Sequence, residues 1–263
     1  MADFRQRQDA ILRLVREREW VSTEELANHF DVTPQTIRKD LNDLCERGEV
    51  ARVHGGATLG RGGTRNLEYE RRRDMAAAEK EAIARLVAGK VPQRASLFIN
   101  IGTTTEAVAR ALTRHEALMV VTNNFNVANI LRVHPQHEVI VAGGVVRPTD
   151  GGIVGEAAVD FIRQFKVDMA IIGASAVDRD GALLDYDFRE VRVARAIVEN
   201  ARRVVLAIDS TKFDRVAPVR IGHLADVDTV VADQMPAHVE KICHEYGVDV
   251  QVVEEVRASE DGI

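Results

Sequence analysis

Two patterns of apolar and polar positions divide the chain. In the first, apolar residues recur at helical spacing: Phe4, Ile11, Leu12, Leu14 and Val15, then Leu26, Ala27, Phe30, Val32, Ile37, Leu41 and Leu44. In the second, from Ala95 onward, short apolar runs alternate with amphipathic stretches. SLFIN, LMVVT, EVIVAGG, VDMAIIGAS, RVVLAID, VDTVVAD and VDVQVVE predict buried strands, and TEAVARAL, NVANILRV, AVDFIRQF and VRVARAIVEN predict helices. Such alternation builds a parallel sheet, so the expected class is α/β. The loops after the carboxyl ends of its strands crowd along one edge, where ligands bind.

Within the first pattern, VSTEELANHFDVTPQTIRKDL (from Val21) reads as two short helices meeting at a corner. Ser22 with Glu25 fits a capping box, and Thr33 puts an N-cap hydroxyl before a first-turn proline, Pro34. Asp31-Val32-Thr33 is the turn. The polar face carries Gln35, Thr36, Arg38, Lys39 and Asn42. Taken alone this is as well an ordinary helical hairpin with a solvated face. The next segment of chain changes the balance: Gly48 closes the helix, residues 49–53 read as a strand, His54-Gly55-Gly56 as a turn, and residues 57–59 as the returning strand. Trp20-Val21 supplies a third strand. A helix joined to such a wing fits double-stranded DNA, with the helix in the major groove and the wing on the backbone or minor groove. The expected contacts are Ser22, Thr33, Pro34, Gln35, Thr36, Arg38, Lys39, Arg52 and His54.

LGRGGTRN, rich in glycine and arginine and without periodicity, reads as a linker. LEYERRRDMAAAEKEAIARLVAGK then returns to helix, with Arg71, Arg72 and Arg73 expected to be solvated. The expected division is a winged helix-turn-helix head over 1–58, a linker over 59–74 and an α/β domain over 75–263.

Polar groups fall at the ends of successive strands. Gly102-Thr103-Thr104-Thr105 opens a helix, so backbone N–H groups, hydroxyls and the helix dipole converge on an anion in front of them. Asn123, Gly143, Gly144, Asp178 and Lys212 come after other strands. Lys212 is expected to neutralise phosphate charge, Asn123 and Asp178 to bond hydroxyls, and the glycine pair to admit the ligand close to the backbone. Arg147, Glu156 and Glu190 are second-rank candidates. Each residue has a plainer role, as helix cap, turn cap, corner or solvated charge. Their convergence favours a small phosphorylated polyol as ligand.

Composition and charge narrow the partners. The cysteines, Cys45 and Cys243, are far apart and the eight histidines lack ligand spacing, so no metal or cofactor is expected. No apolar run is long enough to span a bilayer and there is no secretory leader, which leads us to expect a cytoplasmic protein without a membrane partner. The net charge is −6, and residues 1–74 carry 14 Lys+Arg against 14 Asp+Glu. A neutral head implies modest affinity per head, and hence a homo-oligomer, dimer or tetramer, on repeated half-sites.

VSTEELANHFDVTPQTIRKDLNDL with RVHGGA after it resembles the amino-terminal signature of the DeoR family of bacterial transcriptional repressors, and the likeness runs from about Arg5 to about His223. The resemblance implies operator DNA as partner and a sensor domain similar in fold to ribose-phosphate isomerases. It also implies binding of phosphorylated sugars through the positions matching Gly102 to Thr105, Gly143-Gly144 and Lys212. LFINIGTTTEAVARAL, VTNNFNVANIL, DGGIVGEAAVDFIRQFKVD and DGALLDYDFREVRVARAIVENAR resemble the branch governing glycerol 3-phosphate metabolism, which implies glycerol 3-phosphate as effector. One position departs from the family pattern: Asn100 stands where many relatives carry aspartate. The expectation is a non-enzymatic repressor released by its effector. The alternatives are a repressor sensing another sugar phosphate, or a sugar-phosphate isomerase using Asp178, Asp185, Glu156 or Glu190 as base.

Overall fold

The computed structural model describes residues 2–18, 20–46, 50–53, 56–59 and 69–253, and the chain divides into two units, Met1–Arg65 and Asn66–Ile263. The first contains α1 (Ala2–Arg18), β1 (Trp20–Ser22), α2 (Thr23–Phe30), α3 (Pro34–Glu46), β2 (Val50–Val53) and β3 (Gly56–Leu59). Ser22 starts α2 by the expected reciprocal cap: its Oγ accepts the Glu25 N–H at 3.0 Å while its own N–H donates to Glu25 Oε2 at 3.1 Å. Asp31, in the left-handed region at φ 50°, ends α2 and turns the chain into α3. Ile11, Val15, Leu26, Ile37, Leu41 and Leu44 meet in one core. Arg7 Nε reaches the buried Asp40 at 2.6 Å and ties α1 to α3. The three strands pair antiparallel in the order β1-β3-β2. Gly56 is required there, because a Cβ would stand 2.3 Å from the Val21 carbonyl oxygen of β1.

The second unit begins with α4 (Tyr69–Asp74) and α5 (Ala77–Lys90), then β4 (Ser96–Ile99), α6 (Thr103–Ala111), β5 (Met119–Thr122), α7 (Phe125–Leu131) and β6 (Glu138–Val141). It continues through α8 (Glu156–Ile162), β7 (Met169–Ile172), β8 (Ala176–Val177), β9 (Ala182–Asp185), α9 (Phe188–Glu199), β10 (Val204–Ile208) and β11 (Val219–His223), then β12 (Thr229–Ala232), α10 (Ala237–Glu245) and β13 (Asp249–Val252). Among the described residues, seven strands form a parallel sheet in the order β13-β12-β10-β7-β4-β5-β6. They are the seven that the apolar runs predict. Alternate residues face opposite cores: Leu97, Ile99, Ile171 and Val205 pack with α5, α6 and α7, and Phe98, Ala170, Ile172 and Leu206 with α8, α9 and α10. Burial on both faces explains why these strands read as unbroken apolar runs.

The strand order reverses at β4. The chain proceeds outward through β5 and β6, then returns to place β7 on the other flank of β4 and continues to β10, β12 and β13. A crevice opens at such a switch point, at the carboxyl ends of the strands. A second, antiparallel sheet, β11-β9-β8, carries Asp185 at the end of β9.

Candidate functional site

In the head, α3 turns Ile37, Leu41 and Leu44 inward and leaves Pro34, Gln35, Arg38, Lys39 and Asn42 exposed, as its apolar spacing requires. Thr33 is exposed and caps the helix, its Oγ1 accepting the Thr36 N–H at 3.2 Å and lying 3.0 Å from Thr36 Oγ1. Thr36 is half-buried. The Ser22 oxygen is engaged by Glu25, so Ser22 supports the corner rather than the exposed face. Arg52 lies in β2 opposite Ala57, and His54 lies outside the described residues.

In the second unit a cleft opens at the switch point. Ile101 to Thr105 line it after β4, Gly173 to Ser175 after β7, and Asp209 and Lys212 after β10, with Asp185, Glu190 and Arg72 completing the wall. Gly102 precedes α6 at φ 150° with no side-chain cap. The first N–H groups of a helix have no acceptor within it, and here the partial positive charge of the helix end adds to them. Thr105 Oγ1, 2.8 Å from both the Asn100 and Gly102 carbonyl oxygens, holds the loop. Thr104, 7% exposed, makes no side-chain hydrogen bond among the described residues.

Cations gather beside this turn. Lys80, in α5, is buried and donates to the Arg72 carbonyl and, at 2.6 Å, to the Met75 carbonyl; burial pushes its pKa down. Lys212 makes no ion pair within 4 Å among the described residues. Burial pushes its ammonium down to about 8, with Asp209 pulling the other way. Asp209 is buried; its Oδ1 accepts from the Thr211 N–H and hydroxyl, while its Oδ2 has no partner. A half-buried, unpaired ammonium beside free helical N–H groups is a site for an anion.

The opposite wall is acidic. Asp185 accepts from Ser175 Oγ at 3.0 Å and from the Tyr186 N–H at 2.6 Å, and burial pushes its carboxyl up. Burial, reinforced by Asp185, raises Glu190 to about 7, while Arg147, 2.6 Å from its Oε2, works against the rise. Arg147 also pairs with Asp150 at 2.7 Å and Asp187 at 3.1 Å.

The structure thus gathers Gly102, Thr103, Thr104, Thr105 and Lys212 into one cleft and leaves four expected residues out of it. Asn123 is buried, its Nδ2 donating to the Ile153 carbonyl at 3.1 Å. Gly143 and Gly144 are exposed after β6, the marginal strand, two positions from β4 and so about 10 Å along the edge. Asp178 caps its own turn, accepting the Arg179 N–H at 2.7 Å. Of the second-rank residues, Arg147 is bound up with carboxylates, Glu156 pairs with Arg192 on the surface, and Glu190 lines the cleft. Arg72 is a further correction: expected to be solvated within the linker, it sits in α4, half-buried in the cleft wall and 3.4 Å from Asp150. Tyr69 seats α4 on α6, donating to Glu106 at 2.5 Å. Nothing in a run of three arginines distinguishes the middle one.

Two family descriptions match the chain. Residues 7–61 match the DeoR-like helix-turn-helix domain, and residues 75–234 match the DeoR C terminal sensor domain. The chain is 50% identical over 231 residues to the glycerol-3-phosphate regulon repressor of Escherichia coli (strain K12), covering 88% of this chain and 91% of the relative. It is 40% identical over 231 residues to the HTH-type transcriptional repressor CsqR of the same organism, covering 88% of each chain. Among solved structures it is similar to a D-ribose-5-phosphate isomerase in complex with phospho-erythronic acid, at 15% identity and a TM-score of 0.39 over 52% of this chain and 54% of that one. No helix among the described residues is long and apolar enough to cross a membrane. With both units matched, and relatives named as repressors matched over most of their length, the chain is a DNA-binding transcriptional repressor of the DeoR family.

Proposed function

We propose that this repressor holds operator DNA through the exposed face of α3 and the wing, and releases it when glycerol 3-phosphate fills the cleft at the switch point. The reading rests on one observation above the others: the unpaired Lys212 ammonium and the uncapped first turn of α6 line the same cleft, so a phosphate there gains a cation and backbone donors together. Glycerol 3-phosphate is taken from the name of the 50% identical relative. Thr33 at the start of α3 and Pro34, Gln35, Arg38 and Lys39 within it are the proposed contacts, with Arg52 and His54 on the wing. The working assembly is a homo-oligomer, dimer or tetramer, in the cytoplasm, because a neutral head needs repeated half-sites. By linkage, the operator weakens the effector by the same factor as the effector weakens the operator.

A gel-shift titration with a panel of phosphorylated polyols and sugars tests this. Release by glycerol 3-phosphate at concentrations where the other compounds leave the complex intact supports the assignment. Release by a different sugar phosphate alone reassigns the effector, and release by none removes the sensing role.

A second reading has one observation in its favour. Asp185 and Glu190 line the cleft with raised pKa values, a property of general bases. Under that reading the protein is a sugar-phosphate isomerase with a DNA-binding head. Turnover of ribose 5-phosphate or a triose phosphate by purified protein, lost in Asp185→Asn, selects it; absence of turnover at high enzyme concentration rejects it.

A further inference from the structure

The charges around the cleft form two groups that share Arg72. Those acting on Lys212 are Asp209, Arg215, Lys80 and Arg72; those acting on Glu190 are Asp185, Arg147 and Asp150. The first group surrounds the turn that suits a phosphate. In the second, the carboxylates of Glu190, Asp150 and Asp187 share Arg147, with Arg72 also on Asp150 and Arg189 on Asp187. Asp185 has no ion pair within 4 Å among the described residues; its partners are the Ser175 hydroxyl and the Tyr186 and Asp187 N–H groups, and Arg72 acts on it from further off. This wall is therefore rich in acceptors, with four carboxyl groups against the three guanidiniums of Arg72, Arg147 and Arg189. Elsewhere in the same cleft, Thr104 makes no side-chain hydrogen bond among the described residues, and Asp209, 1% exposed, has an oxygen without a partner. Of the two, the Asp209 oxygen is a buried polar atom left without a partner.

An alcohol donates to a carboxylate wall. A second phosphate or carboxylate has no proton to give and meets like charge. We infer that Asp185 and Glu190 determine specificity in the cleft, accepting hydrogen bonds from the hydroxyl end of the effector and rejecting any ligand that carries a second anionic group. The effector class is then a monophosphate with a neutral, hydroxylated tail. Bisphosphates and phosphorylated acids are excluded even though they carry the phosphate that Lys212 and α6 bind. This inference rests on the effector-site reading above.

Isothermal titration of the full-length protein with glycerol 3-phosphate and with 3-phosphoglycerate tests it. The two share a skeleton and differ by a carboxylate in place of the terminal carbinol. The wild-type protein is expected to prefer glycerol 3-phosphate by on the order of 100-fold, because like-charge juxtaposition at a desolvated site costs several kcal/mol. In the double variant Asp185→Asn, Glu190→Gln the preference narrows to under about 10-fold, chiefly through gained affinity for 3-phosphoglycerate, while inorganic phosphate binds as before. Asp185→Asn alone narrows it partway and serves if the double variant does not fold. Equal binding of the two ligands by wild-type protein, still dependent on Lys212, overturns the inference and leaves the effector site standing. If neither ligand nor inorganic phosphate binds, the effector-site reading falls and this inference with it.

Discussion

Lys212→Met separates what the cleft does from what the fold needs. Removing the ammonium deletes a charge-assisted hydrogen bond to phosphate, about 1.5–3 kcal/mol, so the dissociation constant for glycerol 3-phosphate should rise about 10- to 150-fold. The effect on the empty protein has the opposite sign. Burial holds this ammonium at about 8 against an ordinary 10.5, so the folded state carries a cation it does not favour. Methionine, similar in shape and uncharged, relieves on the order of 1 kcal/mol once partial exposure is allowed for. Calorimetric titration at about pH 7 and urea unfolding of the effector-free protein measure the two quantities. The pH dependence supplies a further check. Between about 8 and 10.5 the unfolded chain retains the proton that folded Lys212 has released, so its contribution makes wild-type stability rise with pH across that window. Effector affinity falls over the same range, since the phosphate is already a dianion and only its partner loses charge. The variant should show neither trend from this site. Unchanged affinity in Lys212→Met, or affinity and stability falling together, refutes the reasoning.

Other substitutions probe separate parts. Arg38→Ala should weaken operator binding about 5- to 150-fold, from loss of about 1–3 kcal/mol of groove contact, with effector affinity of the free protein unchanged; unchanged operator affinity in a gel shift would remove α3 as the reading helix. Thr104→Val keeps the shape of a buried side chain but removes the unpartnered hydroxyl, and should weaken the effector about 5-fold by calorimetry with little change in unfolding midpoint. Gly56→Ala puts a methyl against the Val21 carbonyl and should destabilise the head by about 1–3 kcal/mol in thermal unfolding; an unshifted transition would mean that β1 and β3 are not so closely apposed. Operator affinity should also fall steeply with salt as counterions are released from the DNA, and a flat response in the gel shift contradicts phosphate contacts.

Much of the fold is legible in the sequence because its signals are local. SLFIN and RVVLAID are continuous apolar runs since β4 and β10 are buried on both faces. Ser22 with Glu25, and Thr33 before Pro34, are caps whose partners lie three residues away. The site is less legible, because which loops meet depends on strand order. The return of the chain to set β7 beside β4 brings Ser175 and Lys212 to the Thr104 loop and strands Gly143 and Gly144 at the margin. Asp185 reaches the cleft from a small antiparallel sheet whose strands, Ala176–Val177, Ala182–Asp185 and Val219–His223, are not among the seven runs that predict the parallel sheet. Arg72 joins it because Tyr69 anchors α4, a contact between residues 37 positions apart.

The coupling of cleft to operator can be measured directly by fluorescence anisotropy, with an operator duplex selected by the protein from a random pool. Rising glycerol 3-phosphate should free the labelled DNA from the wild-type repressor, while Lys212→Met, binding the same duplex equally well, should hold it at effector concentrations about 10-fold or more higher. Release of both proteins at the same concentration, or of neither, contradicts the account.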